Sequence, residues 1–259
     1  EHADEICQVA RAHGDTHVLG CGLLGRLRGN LALNRMEGNE RLIEEIAELT
    51  GSESEGLELI HRLEANGWFA ILAFLEGDLS QSRALVLASA DYLDRINPGM
   101  KARTLQAFRS IFSASMLLMS SQTDADEDAS LAAFVDTVLA KMKKFSKIFP
   151  IGRPSLELCR GDRFAARGQY GKAMKLWQDS LKSATEALLP LDGRFAIDRL
   201  AAASPGTERQ AYPAMRDFQR MVSDGNPLWG EVIGTPGQDV ATPISGHPNW
   251  DLIIRNTTT

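Results

Sequence analysis

The chain has 259 residues, of which 44% are hydrophobic and 24% are charged. These proportions are ordinary for a globular protein that buries a core. No apolar run reaches the roughly 18 residues that cross a bilayer, so we expect no membrane span. The net charge of −6 argues against a nucleic-acid partner held through its phosphates.

Three cysteines, Cys7, Cys21 and Cys159, lie far apart in the sequence. An odd number of widely spaced cysteines does not indicate a disulfide framework and favours a reducing compartment. Residues 1–5 are acidic and lack the basic-then-apolar pattern of a signal peptide. We therefore expect a cytoplasmic protein. Because the first residue is not Met, the sequence is also compatible with a piece of a longer chain.

The hydrophobic pattern has a helical period that is interrupted at regular intervals. The first predicted helix, 16–33, is rich in small and apolar residues and ends before the breaker run 34–39. The second, 40–50, has the spacing of an amphipathic helix. Its apolar face consists of Leu42, Ile43, Ile46 and Leu49.

Two further helix pairs follow the same plan. The second pair, 56–75 and 80–96, is joined by the turn Glu76-Gly77-Asp78. The third pair, 102–120 and 130–149, is joined by an acidic link whose Asp and Ser residues are suited to cap the next helix. The apolar positions predicted for 80–96 are Ala84, Leu85, Leu87, Ala88, Tyr92 and Leu93.

A fourth pair covers 154–166 and 170–188, and a fifth covers 193–203 and 207–222. Beyond Asp224 the periodicity ends, and the last 35 residues hold four of the chain's ten prolines. No stretch alternates polar and apolar residues for long enough to form a strand.

Each of these helix pairs is too thin to bury its own apolar face, so neighbouring pairs must stack. The sequence therefore predicts an all-α fold, an α-solenoid of antiparallel helix pairs with degenerate tetratricopeptide-like repeats. We expect this helical-repeat domain to span 1–224. An irregular, Pro-rich C-terminal tail is predicted over 225–259.

The fourth pair resembles a tetratricopeptide repeat. Its small and aromatic residues fall at the structural positions of that repeat, namely Gly161, Phe164, Gly168, Tyr170, Ala173 and Trp177. Gly161 and Ala173 allow two helices to approach closely, and the aromatic side chains fill the gap between layers. The sequence departs from the repeat at Arg160, where Leu is usual, and at Ser180, where Ala is usual.

A wider resemblance covers residues 5–224. It rests on the run Phe149-Pro150-Ile151-Gly152-Arg153-Pro154, on Arg160-Gly161 and Arg167-Gly168, and on Ala173, Trp177, Ala184 and Pro190. These residues look like the C-terminal helical region of signalling proteins that join a class III adenylate/guanylate cyclase domain to a STAND-type ATPase, the eukaryotic soluble adenylyl cyclases among them. In that family the catalytic and nucleotide-binding parts lie upstream of the helical repeats, and none of their motifs is present here. The resemblance implies a regulatory or scaffolding segment.

The segment Gly20-Cys21-Gly22-Leu23-Leu24-Gly25 matches the dinucleotide motif G-x-G-x-x-G. That site also needs a buried strand before the glycines and an acidic residue about 20 residues further on in a βαβ unit. Only His17-Val18-Leu19 precedes the motif, which is too short for the strand. Close packing of two helices is therefore the favoured interpretation.

His13 and His17 are four residues apart, the spacing by which one helix face can hold a metal. The intervening Gly14-Asp15 favours a turn instead, with Asp15 or Thr16 capping the next helix. A third ligand would have to come from Cys7 or Cys21. We predict no metal site and no cofactor.

A basic run follows the acidic link and consists of Lys141, Lys143, Lys144, Lys147 and Arg153. It suits an acidic partner or a membrane surface. A solvated helix end, where cations are favourable, explains the same pattern and is favoured.

No Ser/His/Asp or Cys/His catalytic group can be assembled from this sequence, so we expect a chain that is not an enzyme. The predicted function is a protein–protein interaction or scaffolding module, the regulatory part of a cyclase- or ATPase-linked signalling protein, with protein partners or sister domains. One alternative is a structural subunit of a large assembly that docks through 225–259. Another is a nucleotide-binding enzyme that uses Gly20, Gly22 and Gly25.

Overall fold

The structure is a computed structural model and describes residues 2–32, 39–51, 58–99, 101–121 and 128–203. Within these ranges the chain forms ten α-helices and one short 3₁₀ helix, and no strand. The all-α prediction is confirmed, while the solenoid arrangement stays a prediction. The predicted helix 207–222 and the tail 225–259 lie outside the described residues. None of the described helices combines the length and apolar character that a bilayer span requires.

The helices follow the predicted boundaries closely, with one addition at the start. The 3₁₀ helix is Pro150–Gly152, and the α-helices are α1 (His2–His13), α2 (Thr16–Ala32), α3 (Glu40–Gly51), α4 (Leu59–Leu75), α5 (Leu79–Arg95), α6 (Thr104–Ser120), α7 (Ala129–Ile148), α8 (Arg153–Ala166), α9 (Tyr170–Glu186) and α10 (Pro190–Ala203). Helix α1 was not among the helices predicted from the sequence. Its acidic first turn and basic last turn complement the helix dipole at both ends.

The described chain divides into two compact units, and the division falls inside α7. The first unit ends at Val138 and the second begins at Leu139. In the first unit α4 is the central helix and contacts α2, α3, α5 and α6. In the second unit α8, α9 and α10 each contact the other two.

The two helix caps predicted from sequence are present. The Asp15 carboxylate accepts a hydrogen bond from the Val18 amide at 2.9 Å at the start of α2. The Asp128 carboxylate accepts from the amides of Ser130 at 3.0 Å and Leu131 at 3.3 Å at the start of α7. Both caps satisfy amide groups that the first helical turn leaves without an intrahelical acceptor.

Helix α6 packs chiefly against α4, although α5 lies between them along the chain. The predicted pairing of α6 with α7 stays a prediction. Gly67 of α4 lies directly against α6, where a Cβ atom on it would stand 2.4 Å from Ser110 Oγ and 2.7 Å from the Ile111 amide nitrogen. The two backbones approach so closely because neither helix places a large side chain at the crossing. Small residues at the crossing therefore allow α6 to lie directly on α4.

The buried face of α5 includes small polar residues. Of the apolar residues in the predicted helix, Ala84, Leu87 and Ala88 are exposed. The buried residues are Ser82, Val86, Ser89 and Leu93. The Ser82 hydroxyl donates to the Ala70 carbonyl of α4 at 2.7 Å. A small hydroxyl with a backbone acceptor is readily buried, so a count of apolar residues alone does not locate this face.

We predict that Gly67→Ala lowers the free energy of unfolding by about 1–3 kcal/mol, because the added methyl group overpacks a backbone contact. The matched control is Gly25→Ala in α2, where a Cβ atom meets nothing within 4 Å. There the higher helix propensity of Ala should raise stability by about 0.5–1 kcal/mol. Urea unfolding followed by circular dichroism measures both. Equal effects of the two substitutions would contradict the close crossing of α4 and α6.

Candidate functional site

Two helices of the first unit bring three metal-binding side chains together. His17 and Cys21 lie one turn apart on α2, and His61 lies in the first turn of α4. Their ligand atoms all lie within 4.8 Å of one another. In the part of the chain that the structure describes, this is the one group of three or more such side chains close enough to share an ion. We call it the His17–Cys21–His61 cluster.

The cluster runs from the helix interface to the surface. Cys21 Sγ lies 3.2 Å from His61 Nε2. The rings of His17 and His61 meet edge to face, with their centroids 4.7 Å apart. His61 is 1% exposed, whereas the His17 side chain is 40% exposed. The His17 end of the cluster is therefore open to solvent, whereas the His61 end is buried.

The surroundings of His61 favour its neutral form. Burial, followed by the nearby charges of Arg103 and His17, lowers the pKa of His61 to about 4. Burial also raises the pKa of the Cys21 thiol, although Arg103 opposes that rise. At neutral pH the closest pair of the cluster is thus a protonated thiol beside a neutral imidazole.

Two ion pairs border the cluster. Lys101 donates a hydrogen bond to Glu58, and this bond lowers the pKa of the Glu58 carboxyl group. Glu58 Oε1 also lies 3.9 Å from His17 Nδ1. On the buried side, Arg103 Nη2 lies 3.3 Å from Oε2 of Glu64, whose side chain is fully buried. Each of the two cations beside the cluster is therefore held by a carboxylate.

These protonation states distinguish between two kinds of chemistry. A catalytic cysteine acts as a thiolate, commonly stabilised by an imidazolium. The raised pKa of Cys21 and the lowered pKa of His61 both oppose that ion pair. A metal ion requires a neutral imidazole and itself stabilises the thiolate. The arrangement is better suited to holding a metal than to nucleophilic catalysis.

The structure separates the two histidines that the sequence placed at helical spacing. His13 is the last residue of α1, and Gly14 turns the chain with φ +67°. His17 is the second residue of α2. The predicted turn is confirmed. Cys21 was considered as a third ligand, but His61 was missed because its proximity depends on the packing of α4 on α2. The sequence feature that points to this cluster is the four-residue spacing of His17 and Cys21 inside a single helix.

The glycines of the G-x-G-x-x-G match, Gly20, Gly22 and Gly25, lie inside α2. The chain at these residues is a continuous helix and not the strand-to-helix turn that cradles a pyrophosphate. A Cβ atom on Gly22 would stand 2.6 Å from Cys7 Sγ of α1. For Gly22 the predicted role in close helix packing is confirmed.

In the second unit, the six predicted repeat positions lie in the α8–α9 hairpin. Gly161 of α8 faces Trp177 of α9, and a Cβ atom on Gly161 would stand 2.5 Å from Trp177 Cδ1. Gly168 turns the chain between the helices with φ +69°, a conformation that glycine adopts without strain. The indole therefore lies directly on a backbone that carries no side chain.

The remaining repeat positions form one buried cluster. Ala173 and Trp177 are buried in it, and Phe164 and Tyr170 pack against it. Helix α10 contributes Ala196, Ile197 and Leu200. These positions thus hold three helices together, and their membership of a repeating array stays a prediction.

A buried ion pair that the sequence did not reveal completes this packing. Arg199 of α10 donates to both carboxylate oxygens of Asp162 of α8, at 3.2 and 3.3 Å. Trp177 Nε1 of α9 donates to the same carboxylate at 3.0 Å. Asp162 and Arg199 are 4% and 3% exposed. A buried charge is tolerated when it is paired and hydrogen-bonded, as here.

Comparison with known proteins provides no relative from which a function could be transferred. No protein-family model, no curated protein and no solved structure matches this chain.

We predict that Trp177→Phe lowers the free energy of unfolding by about 1–3 kcal/mol more than Trp68→Phe does. Both indoles are buried, but only Trp177 donates to a carboxylate. Trp68 Nε1 has no hydrogen-bond partner among the described residues. The loss of ring volume is the same in both variants. Thermal and urea unfolding followed by circular dichroism measure the difference, and equal destabilisation would contradict the role of the indole N–H.

The lowered pKa of His61 gives a second prediction, for metal-free protein. Between pH 6.5 and about 4 the unfolded chain binds a proton at this residue and the folded chain does not. The contribution of His61 to the free energy of unfolding is therefore fully present above pH 6.5. It is lost as the pH drops towards 4, by about 3 kcal/mol in all. We expect wild type to lose about that much more than His61→Gln between pH 7 and pH 4. Parallel losses in urea unfolding would show that His61 titrates normally.

Proposed function

We propose that this chain is a non-catalytic protein–protein interaction module whose contact surface includes the turn between α9 and α10. The observation that carries this proposal is an exposed leucine held in a strained backbone conformation on a rigid base. Leu188 is 68% exposed, and Leu191 at the same turn is 46% exposed.

The backbone conformation of Leu188 is unfavourable for a residue that carries a side chain. Its φ of +55° lies in the left-handed region, which side chains with a Cβ atom disfavour by about 1–2 kcal/mol. Glycine would remove that strain, and the exposed side chain contributes little burial in return. Strained residues that survive in a fold are concentrated at binding sites. Burial of the Leu188 side chain against a partner would offset the free-energy cost of this backbone conformation.

The base of the turn is well ordered by hydrogen bonds. The Leu189 amide donates to the Ala184 carbonyl at 2.9 Å and closes the end of α9. The Ser155 hydroxyl of α8 donates to the buried Asp192 carboxylate of α10 at 2.6 Å. A turn fixed in this way loses little conformational entropy when a partner binds, which favours affinity.

The partner that we propose is a sister domain or subunit of a larger cyclase- or ATPase-linked signalling protein, in which this chain is the regulatory helical part. The sequence resemblance over residues 5–224 supports this proposal. Three free thiols, Cys7, Cys21 and Cys159, support a reducing, cytoplasmic setting. The full-length reading frame tests the proposal, because it requires a cyclase or nucleotide-binding domain upstream. Docking through 225–259 rests on residues outside the described ranges and stays an alternative.

We predict that Leu188→Gly weakens partner binding by about tenfold or more, as expected for an anchoring side chain. The same substitution should raise the free energy of unfolding by about 1 kcal/mol, because it removes the left-handed leucine. This combination separates a binding defect from a folding defect. The matched control is Leu87→Ala, which truncates an exposed leucine of α5 in the other unit.

The measurement is co-purification of partners from the source cells with each variant, quantified by mass spectrometry, alongside urea unfolding. Partners retained by Leu87→Ala and lost by Leu188→Gly support the proposal. Equal recovery with both variants, or no partner with wild type, would contradict it.

A further inference from the structure

We propose that His17, Cys21 and His61 bind a zinc ion that clamps α2 to α4. This inference concerns the first unit and does not depend on the interaction surface of the second. It rests on the identity of the three side chains, on their distances, and on the buried position of His61.

The ligand set matches the chemistry of zinc. Zn²⁺ is bound by thiolate sulfur and imidazole nitrogen, and one cysteine with two histidines is a borderline-soft set of the kind it prefers. Calcium and magnesium take oxygen ligands and are not suited to this cluster. His17 and Cys21 are spaced four residues apart on one helix, so a single helix face presents two ligands.

The distances fit a tetrahedral ion after small side-chain rotations. Bonds of about 2.0–2.3 Å place two ligand atoms on zinc roughly 3.4–3.7 Å apart. Cys21 Sγ and His61 Nε2 are 3.2 Å apart, and all three ligand atoms lie within 4.8 Å of one another. His17 is partly exposed, so its ring is the one that would turn towards the other two.

An independent observation concerns the polar atoms of His61. The ring is 1% exposed, and its Nδ1 atom is buried without a hydrogen-bond partner among the described residues. An imidazole in this position bears a desolvation cost that the surrounding side chains do not offset. Coordination at Nε2, the ring atom that faces Cys21 Sγ, would offset part of this cost, with the proton of the neutral ring on Nδ1.

The charges around the cluster accommodate a cation. Lys101 and Arg103 are nearby but are held by Glu58 and Glu64. Arg28 Nη1 also lies 3.9 Å from Glu64. Glu58 adds a carboxylate near His17, on the solvent side. Three protein ligands leave the fourth position of a tetrahedral ion to a water molecule entering from that side.

Binding changes the protonation of one residue. The Cys21 thiol gives its proton to solvent and its sulfur forms the bond to zinc, while both imidazoles bind in their neutral forms. No electron is transferred, and one proton is released for each ion bound.

The test uses the whole chain, without an affinity tag and under reducing conditions, and Co²⁺ as a spectroscopic probe. We expect one equivalent of Co²⁺ to give visible bands of a tetrahedral site and a thiolate-to-cobalt charge-transfer band, both abolished by one equivalent of Zn²⁺. Cys21→Ala should lose the charge-transfer band. His17→Gln should weaken zinc binding by roughly 100-fold or more, since a ligand contributes at least as much as an outer-shell partner.

The matched control is His13→Gln, which removes an exposed histidine four residues from His17 but outside the cluster. We expect it to bind zinc as wild type does. The proposal is overturned if wild type gives no charge-transfer band, if the band persists in Cys21→Ala, or if His17→Gln and His13→Gln bind zinc equally. If Cys21→Ala fails to fold, the comparison of the two histidine variants decides, because both residues lie at the surface.

Discussion

The burial of α4 is the constraint on which the first unit depends. This helix contacts four others, so its polar residues His61 and Glu64 are buried and must find partners in the protein. Glu64 is paired with Arg103, while His61 faces Cys21. Gly67 permits the close crossing with α6 that completes the burial. The packing of α4 and the formation of the His17–Cys21–His61 cluster thus have the same physical origin.

The second unit also buries polar groups, and it pairs them differently. Its three helices close around Trp177, which lies on the bare backbone of Gly161 and shares the Asp162 carboxylate with Arg199. Here the buried charge is fully paired inside the unit. The strain in this unit lies at the surface instead, where Leu188 adopts a left-handed conformation. The proposed metal site and the proposed contact surface therefore belong to separate units and stand on separate observations.

Local signals in the sequence were sufficient for most helix boundaries. Gly77 and Gly168 stop helices because each adopts a positive φ, and Asp15 caps a helix within reach of its own side chain. The close crossing of α6 on α4 and the buried face of α5 could not be read in this way, since small residues and serine hydroxyls set them through contacts between helices. His61 was missed for the same reason, as 40 residues separate it from Cys21 and helix packing alone brings them together.

If burial of α4 brings an imidazole and a thiol together as ligands of one ion, the ion's own coordination shell must contain both. X-ray absorption at the zinc edge, on the whole chain loaded with one equivalent of zinc, measures that shell. We expect a four-atom shell of one sulfur at about 2.3 Å, two imidazole nitrogens at about 2.0–2.1 Å and one water oxygen. A shell of oxygen and nitrogen atoms without sulfur would contradict it.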